Sequence, residues 1–320
     1  MRSRDIVMDS IEFRSPERLP FAQGPSADIA TVGYAPACDF VPQKPGMNEW
    51  GAVWQSLNVD KGDQGQVVEH PLDDWSRFTD YMFPDPSAAG RMDHVPAQIR
   101  QYRQEGKFVV GGLGKGPMHL LDDLRGFENY LMDLAAAPER IDTLLDGIFL
   151  FLTGMVRRYA ELKVDAVFMT DDQAMQTGPL FSMEMWRRHF KPRYRQLFSL
   201  AHEHGMKVFM HACGNLSELL VDLADAGVDI LDNKQPALWM HSPAVDQVRG
   251  KISFSTCIDI QSTIHTIAED QIEAEVEHLV RRLSVPEGGF IATCYSKPDM
   301  QLPAAKVERM LNAFKSFRWK

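Results

Sequence analysis

His211-Ala212-Cys213 sets an imidazole and a thiol two residues apart, just after the apolar run Lys207-Val208-Phe209-Met210. In extended backbone, residues i and i+2 point to the same side, so both groups face one pocket. Zinc takes nitrogen and sulfur ligands, and a catalytic zinc commonly keeps three protein ligands and one open position. Cys294, after a later apolar run, is the natural third ligand. Cys257 follows another such run and competes for that place, although packing accounts for it better. The plainer alternative is a hydrogen-bonded pocket histidine with cysteines as small apolar fillers. Asp171-Asp172 follow a third run, Val164-Asp165-Ala166-Val167-Phe168-Met169. Two carboxylates at a pocket rim suit general acid–base work, with one of them raised by burial and like-charge repulsion. A capping pair or a solvated turn is the structural alternative. Gln173 and Gln176 add neutral donors nearby, and Asp232 and Tyr295 complete the candidates for holding substrate.

These residues matter together only if the fold brings the ends of those runs to one place. From about residue 105 onward, short apolar runs alternate with amphipathic stretches of helical length. Strands are predicted at 108–110, 164–169, 207–210, 228–231, 252–255 and 290–292, with a candidate first strand at 29–34. Helices are predicted at 127–136, 139–162, 183–204, 215–226, 242–249, 268–283 and 304–316. Ser182 is a plausible N-cap, and Gly205 and Gly227 are stops. Strand–helix alternation at this spacing gives parallel strands. Seven or eight of them favour a closed (β/α)8 TIM barrel over an open sheet, and no GxGxxG follows a first strand. In such a barrel the C-terminal strand ends form one face, where active sites lie. Residues 1–105 read as an irregular N-terminal elaboration of a single domain spanning 1–320. Within it, Trp50, Trp54, Trp75, Phe78, Tyr81 and Phe83 need burial.

The composition narrows the partners. The chain has 320 residues and a formal charge of −10, from 34 Lys+Arg against 44 Asp+Glu. That balance argues against nucleic acid or an anionic membrane surface. No apolar run reaches the ~18 residues of a spanning helix, and Met1–Phe13 has no apolar signal core. Four widely spaced cysteines in so long a chain are no disulfide framework, so a cytoplasmic setting is expected.

The motifs, taken in order, resemble the uroporphyrinogen decarboxylase superfamily, and within it the branch of cobamide-dependent (corrinoid) methyltransferases. The carriers are Asp171-Asp172-Gln173-Ala174-Met175-Gln176-Thr177-Gly178-Pro179, His211-Ala212-Cys213-Gly214 and Gly227-Val228-Asp229-Ile230-Leu231-Asp232. Thr256-Cys257-Ile258-Asp259-Ile260-Gln261, Gly288-Gly289-Phe290-Ile291, Glu49-Trp50-Gly51 and Pro84-Asp85-Pro86 extend the likeness over nearly the whole chain. The resemblance implies a (β/α)8 barrel that binds zinc through His211, Cys213 and Cys294. It also implies transfer of a methyl group between a small methyl donor or acceptor and a corrinoid. No D-x-H-x-x-G motif occurs at any of the ten histidines, so the corrinoid is expected on a separate protein. The metal-free decarboxylases of the superfamily hold a polycarboxylate with an N-terminal arginine motif. The comparable stretch here, Ala30–Pro36, has no arginine. A metal-free lyase acting on a carboxylated substrate is therefore the rival reading.

Overall fold

A computed structural model describes residues 1–24, 26–56, 65–295 and 300–319. Seven parallel strands run in chain order around one sheet: β1 (Ile29–Gly33), β2 (Phe108–Lys115), β3 (Ala166–Thr170), β4 (Lys207–His211), β5 (Ile230–Asp232), β6 (Ser253–Thr256) and β7 (Phe290–Ala292). The gap between β7 and β1 is occupied by residues 20–22. The Ala22 N–H donates to the Ala292 carbonyl (2.9 Å), the Ala292 N–H donates to the Pro20 carbonyl (2.8 Å), and the Asp28 N–H donates to the Phe21 carbonyl (2.7 Å). The expected eighth strand is thus reduced to one bridge. Pro20 has no N–H to give, and the Phe21 N–H is taken by the Asp28 side chain (2.9 Å). The architecture is a TIM-barrel-like α/β fold.

Side-chain parity sorts the barrel into two cores. Ile29, Phe108, Val110, Ala166, Phe209, Ile230 and Ile291 point inward, and helix α1 (Ser3–Ile11) closes the N-terminal end with Val7 and Ile11. Their chain neighbours Val109, Val167, Met169, Val208, Met210, Leu231 and Phe254 point outward into the shell of helices. Phe168 packs edge-on to Phe209 (4.9 Å) near the top of the inner stack. The helices on this shell include α2 (Val95–Gln104), α3 (Pro117–Arg125), α4 (Phe127–Ala136) and α5 (Pro138–Glu161). The single helix expected over 183–204 occurs in pieces. Ser182 caps Met183–Met185, a wide π turn covers Trp186–Phe190, and an α-helix runs over Lys191–Glu203. Pro192, without an N–H, falls where the wide turn gives way.

The N-terminal elaboration carries more order than its composition suggested. It holds a two-stranded ribbon (53–55 with 66–69) and a 3₁₀ turn at Trp75–Asp80. Trp50 and Phe83 form an edge-to-face pair, and Trp50 also meets Phe151 of α5 at 5.0 Å. Beneath them the fully buried Arg91 makes a two-pronged bond to Glu49 (2.6 and 2.8 Å). Paired this way, the charge is compensated inside the layer, and Arg91 also donates to the Ala35 carbonyl just past β1 (3.1 Å), which ties the layer to the barrel. Trp50 and Trp239 are core residues, and Trp54 alone of these reaches the barrel mouth.

Candidate active site and metal centre

Register builds the site. Lys115, Thr170, His211, Asp232 and Ser255 stand side by side on consecutive strands β2 to β6. They share the inward parity of the apolar stack, so they form its last row before the barrel opens. Above them lies a cavity of about 800 Å³ walled by Trp54, Phe168, Ile260 and Tyr295 on its apolar sides. Two residues beyond the row, the same parity delivers Asp172, Cys213 and Lys234 to the wall.

His211 is held from behind. Its Nδ1 lies 2.6 Å from Asp232 Oδ2, which fixes the ring with Nε2 turned forward, 3.3 Å from Cys213 Sγ and 3.8 Å from Asp172 Oδ1. The Cys213 N–H donates to Asp172 Oδ1 (2.7 Å), drawing that carboxylate onto the His-x-Cys element. Asp232 in turn accepts from the Lys234 ammonium and from Ser255 Oγ (2.7 Å). Burial works against the Asp232 charge, yet Lys234 and His211 keep its carboxyl below the usual range. Gly214 completes the element. Its φ is +82°, and a Cβ there would stand 2.2 Å from the Ala174 carbonyl oxygen, so only glycine fits.

The two neighbouring aspartates part company. Only Asp172 lines the cavity. Asp171 is fully buried; it accepts from the N–H groups of Met118 (2.9 Å) and His119 (3.1 Å) at the start of α3, and from the Tyr194 hydroxyl. Gly116 allows this approach, since a Cβ would come within 2.4 Å of the Asp171 Cβ. Burial lifts the Asp171 carboxyl to about 6. Burial pushes Asp172 up as well, but the His119 hydrogen bond and the His119 and His211 charges outweigh it and bring the carboxyl down to about 2. In His119, burial opposes the charged ring; the bond to Asp172 and both aspartate charges overcome it and lift the imidazole to about 9. Its Nε2 lies 3.4 Å from Asp172 Oδ2, and its Nδ1 bonds the Thr170 carbonyl at 3.0 Å.

Among the described residues, the group with metal-ligand spacing is Asp172, His211 and Cys213, whose donor atoms all lie within 4.8 Å of one another. Cys294 stands outside that group, two residues past β7 and buried among the outer apolar side chains. The Lys234 charge nevertheless bears on all three thiols, Cys213, Cys257 and Cys294. Burial raises each of them, Cys257 to about 12; at Cys213 the Asp172 charge adds to the rise. A thiolate here needs a cation beside it. An imidazole with Nε2 turned forward, a thiol and a carboxylate are donors that suit zinc, and the Asp232–His211 bond is the outer support such ligands have.

Gln173 is not on the cavity wall. Its amide is buried, accepting from Trp186 Nε1 (2.7 Å) and donating to the Tyr194 hydroxyl (3.2 Å), so the expectation that it meets substrate is corrected. Gln176 does reach the rim, where it bonds Gln261 across the opening (2.7 Å). Asp232 and Tyr295 line the cavity. Sequence reading missed His119, Lys115 and Lys234. The signal for His119 was Pro117 at a helix start with Leu120, Leu121 and Leu124 behind it.

The fold and this mouth-side constellation define an α/β-barrel protein with a histidine–cysteine centre at the C-terminal ends of its strands. A family model described as uroporphyrinogen decarboxylase (URO-D) matches residues 55–317, and the chain belongs to that family. A methylated-thiol–coenzyme M methyltransferase of Methanosarcina mazei is 24% identical over 219 residues, 67% of this chain. The match spans 57% of that relative's length. A solved structure of a methyltransferase from Methanosarcina mazei superposes with a TM-score of 0.72 over 98% of both chains at 15% identity, which speaks to the fold.

Proposed function

We propose that this protein is a zinc-dependent methyltransferase that moves a methyl group between a small substrate and a corrinoid carried by a separate protein. The observation that carries the reading is the Asp232–His211–Cys213 arrangement, in which a carboxylate at 2.6 Å from Nδ1 turns Nε2 toward a thiol in an open cavity. Family membership and the methyltransferase relative support the reaction class.

His211 and Cys213 hold the ion, and Cys294 supplies the third ligand, as the resemblance implies. When bound, the metal supplies Lewis acidity, which favours a thiolate over a thiol or polarises a departing oxygen. The chain's own residues do the rest. Asp172, ionised at neutral pH, stands beside His211 and Cys213 on the cavity wall and orients the substrate. His119 keeps that carboxylate charged and in place. Asp171 acts behind the wall as the anchor of α3, and so positions His119. Trp54, Phe168 and Tyr295 take the substrate's apolar part, and Gln176 with Gln261 lies where a docking partner would cover the mouth.

Elemental analysis tests the reading. Wild type should carry about one zinc per chain, as a single catalytic site requires, and His211→Ala and Cys213→Ala should lose it. The metal-loaded enzyme should move methyl groups from methylated thiols or methoxylated compounds to a free corrinoid. A protein that binds no zinc under reducing conditions, or whose activity survives Cys213→Ala, sinks the proposal in favour of the metal-free lyase.

A further inference from the structure

The opposite end of the barrel holds a second cavity. At the N-terminal side of β2 and β3, a cleft of about 340 Å³ is lined by Arg2, Arg4, Arg103, Lys107 and Lys163, with Asp165 as the one carboxylate on its wall. Three chain segments meet there: the start of α1, the turn from α2 into β2, and the turn from α5 into β3. The Arg4 N–H donates to the Gly106 carbonyl (2.8 Å), which ties the first two together.

The charges do not balance. Among the described residues the cleft's ion pairs are Arg2–Asp5 (3.1 Å) and Arg4–Asp165 (2.7 Å). Arg103 instead donates to the carbonyls of Leu162 and Lys163 at the end of α5, and Lys107 donates to the Ala27 carbonyl. These contacts fix the two side chains without cancelling their charge. Lys163 adds a third cation from an exposed position with a left-handed backbone (φ 57°), which turns the chain back toward the cleft. Three uncompensated cations thus converge on one concavity in a protein of net charge −10. Helix-end packing alone accounts for Arg103, but not for Lys163.

We infer that this cleft binds a multiply charged oxyanion, the phosphate group of a small phosphorylated molecule or of inorganic pyrophosphate. A planar guanidinium and two ammonium groups around one cavity are the donor set that phosphate oxygens take. The length of β3 separates the cleft from Asp172 by roughly 17 Å at ~3.3 Å per residue, so the anion does not share the barrel mouth.

Calorimetric titration of the full chain with pyrophosphate, and separately with ATP, tests this. Saturable binding at physiological salt is expected, weakened about tenfold in Lys163→Asn and further in Lys163→Asp, as loss of one charge-assisted contact implies. Both replacement residues accept the left-handed conformation, so neither strains the turn. Arg103→Gln, checked for an unchanged melting temperature, should weaken binding as well. Equal affinity for the two ligands assigns recognition to phosphate alone; tighter ATP binding adds an organic moiety, and both outcomes support the site. Absence of saturable binding, or binding unmoved by Lys163→Asp, overturns it. Zinc content should stay at the wild-type level in every variant, which separates this test from the metal reading.

Discussion

Asp232→Asn is the sharpest probe of the proposed metal site, because the geometry forces a choice on the new amide. Asp232 Oδ1 accepts from the Lys234 ammonium and from Ser255 Oγ, while Oδ2 accepts from His211 Nδ1. Both Asp232 and Lys234 are buried. An ammonium in that setting demands an acceptor, so the amide oxygen turns to Lys234 and the NH2 turns to His211. Nδ1 then becomes an acceptor and the ring proton moves to Nε2, the atom proposed to bind the metal. Zinc affinity should fall about 10–100-fold, or roughly 1.4–2.8 kcal/mol. Stripping Lys234 of its counter-charge should also lower apo-protein stability by about 3–5 kcal/mol. Adding Lys234→Met frees the amide to rotate, with its oxygen to His211 and its NH2 to Ser255. The double variant should therefore regain both stability and part of the affinity. Competition against a chromophoric chelator reads the affinity, and thermal melts of the apo protein read the stability. Wild-type zinc affinity in Asp232→Asn, alongside loss of zinc in Cys213→Ala, would refute this account of how His211 is held.

Gly214→Ala should lower the melting temperature and abolish metal binding together, because its Cβ would collide with the Ala174 carbonyl while the backbone stays left-handed (φ +82°); a stable variant with normal metal content would contradict that packing. Asp171 gives a pH signature in the apo protein. Its folded carboxyl titrates near 6, above the ordinary value of 3.8, so the native state holds the proton more tightly and stability falls as pH rises from about 4 to about 6. The loss is roughly 3 kcal/mol, and Asp171→Asn, which keeps the acceptor for the α3 N–H groups, should flatten that slope in denaturant melts.

Much of this was legible because the barrel writes its strands as short apolar runs with polar ends. The runs ending at Asp171, His211, Asp232, Cys257 and Cys294 are the strands β3 to β7, within a residue or two. What escaped has physical reasons. Asp171 and Asp172 are the same residue type side by side, so composition cannot rank them. Parity can, since Ala166, Phe168 and Thr170 face inward and Asp172 continues their phase, while Asp171 follows Val167 and Met169 outward. Gln173 falls outward by the same count, which is why it bonds Trp186 and Tyr194. His119 was hidden because Gly111-Gly112-Leu113-Gly114 masks the strand end, which obscures the helix start that Pro117 marks. Lys234 belongs to no motif that marks it, although it shares the phase of Asp232. The ribbon and aromatic cluster of the N-terminal layer depend on long-range pairing, such as Arg91 with Glu49, which no local pattern announces.

Charge counting separates the two candidates for the third metal ligand. Without metal the wall is close to neutral: His119 sits against Asp172, Lys234 against Asp232, and burial keeps Cys213, Cys257 and Cys294 protonated well above neutral pH. A dication entering this wall would leave two unbalanced charges in a buried place unless protons depart. Ligation by Cys213 and Cys294 releases about two protons and restores neutrality. Ligation by Cys213 and Asp172 releases about one, because Asp172 is already ionised at neutral pH. Zinc titrations in buffers of different ionisation enthalpy read this number directly. With Cys294 as ligand, wild type should release about two protons and Cys294→Ala about one, with weaker binding, while Cys257→Ala should match wild type. A count near one in wild type, unchanged by Cys294→Ala, would transfer the third position to Asp172 and leave Cys294 as a packing residue of the last strand.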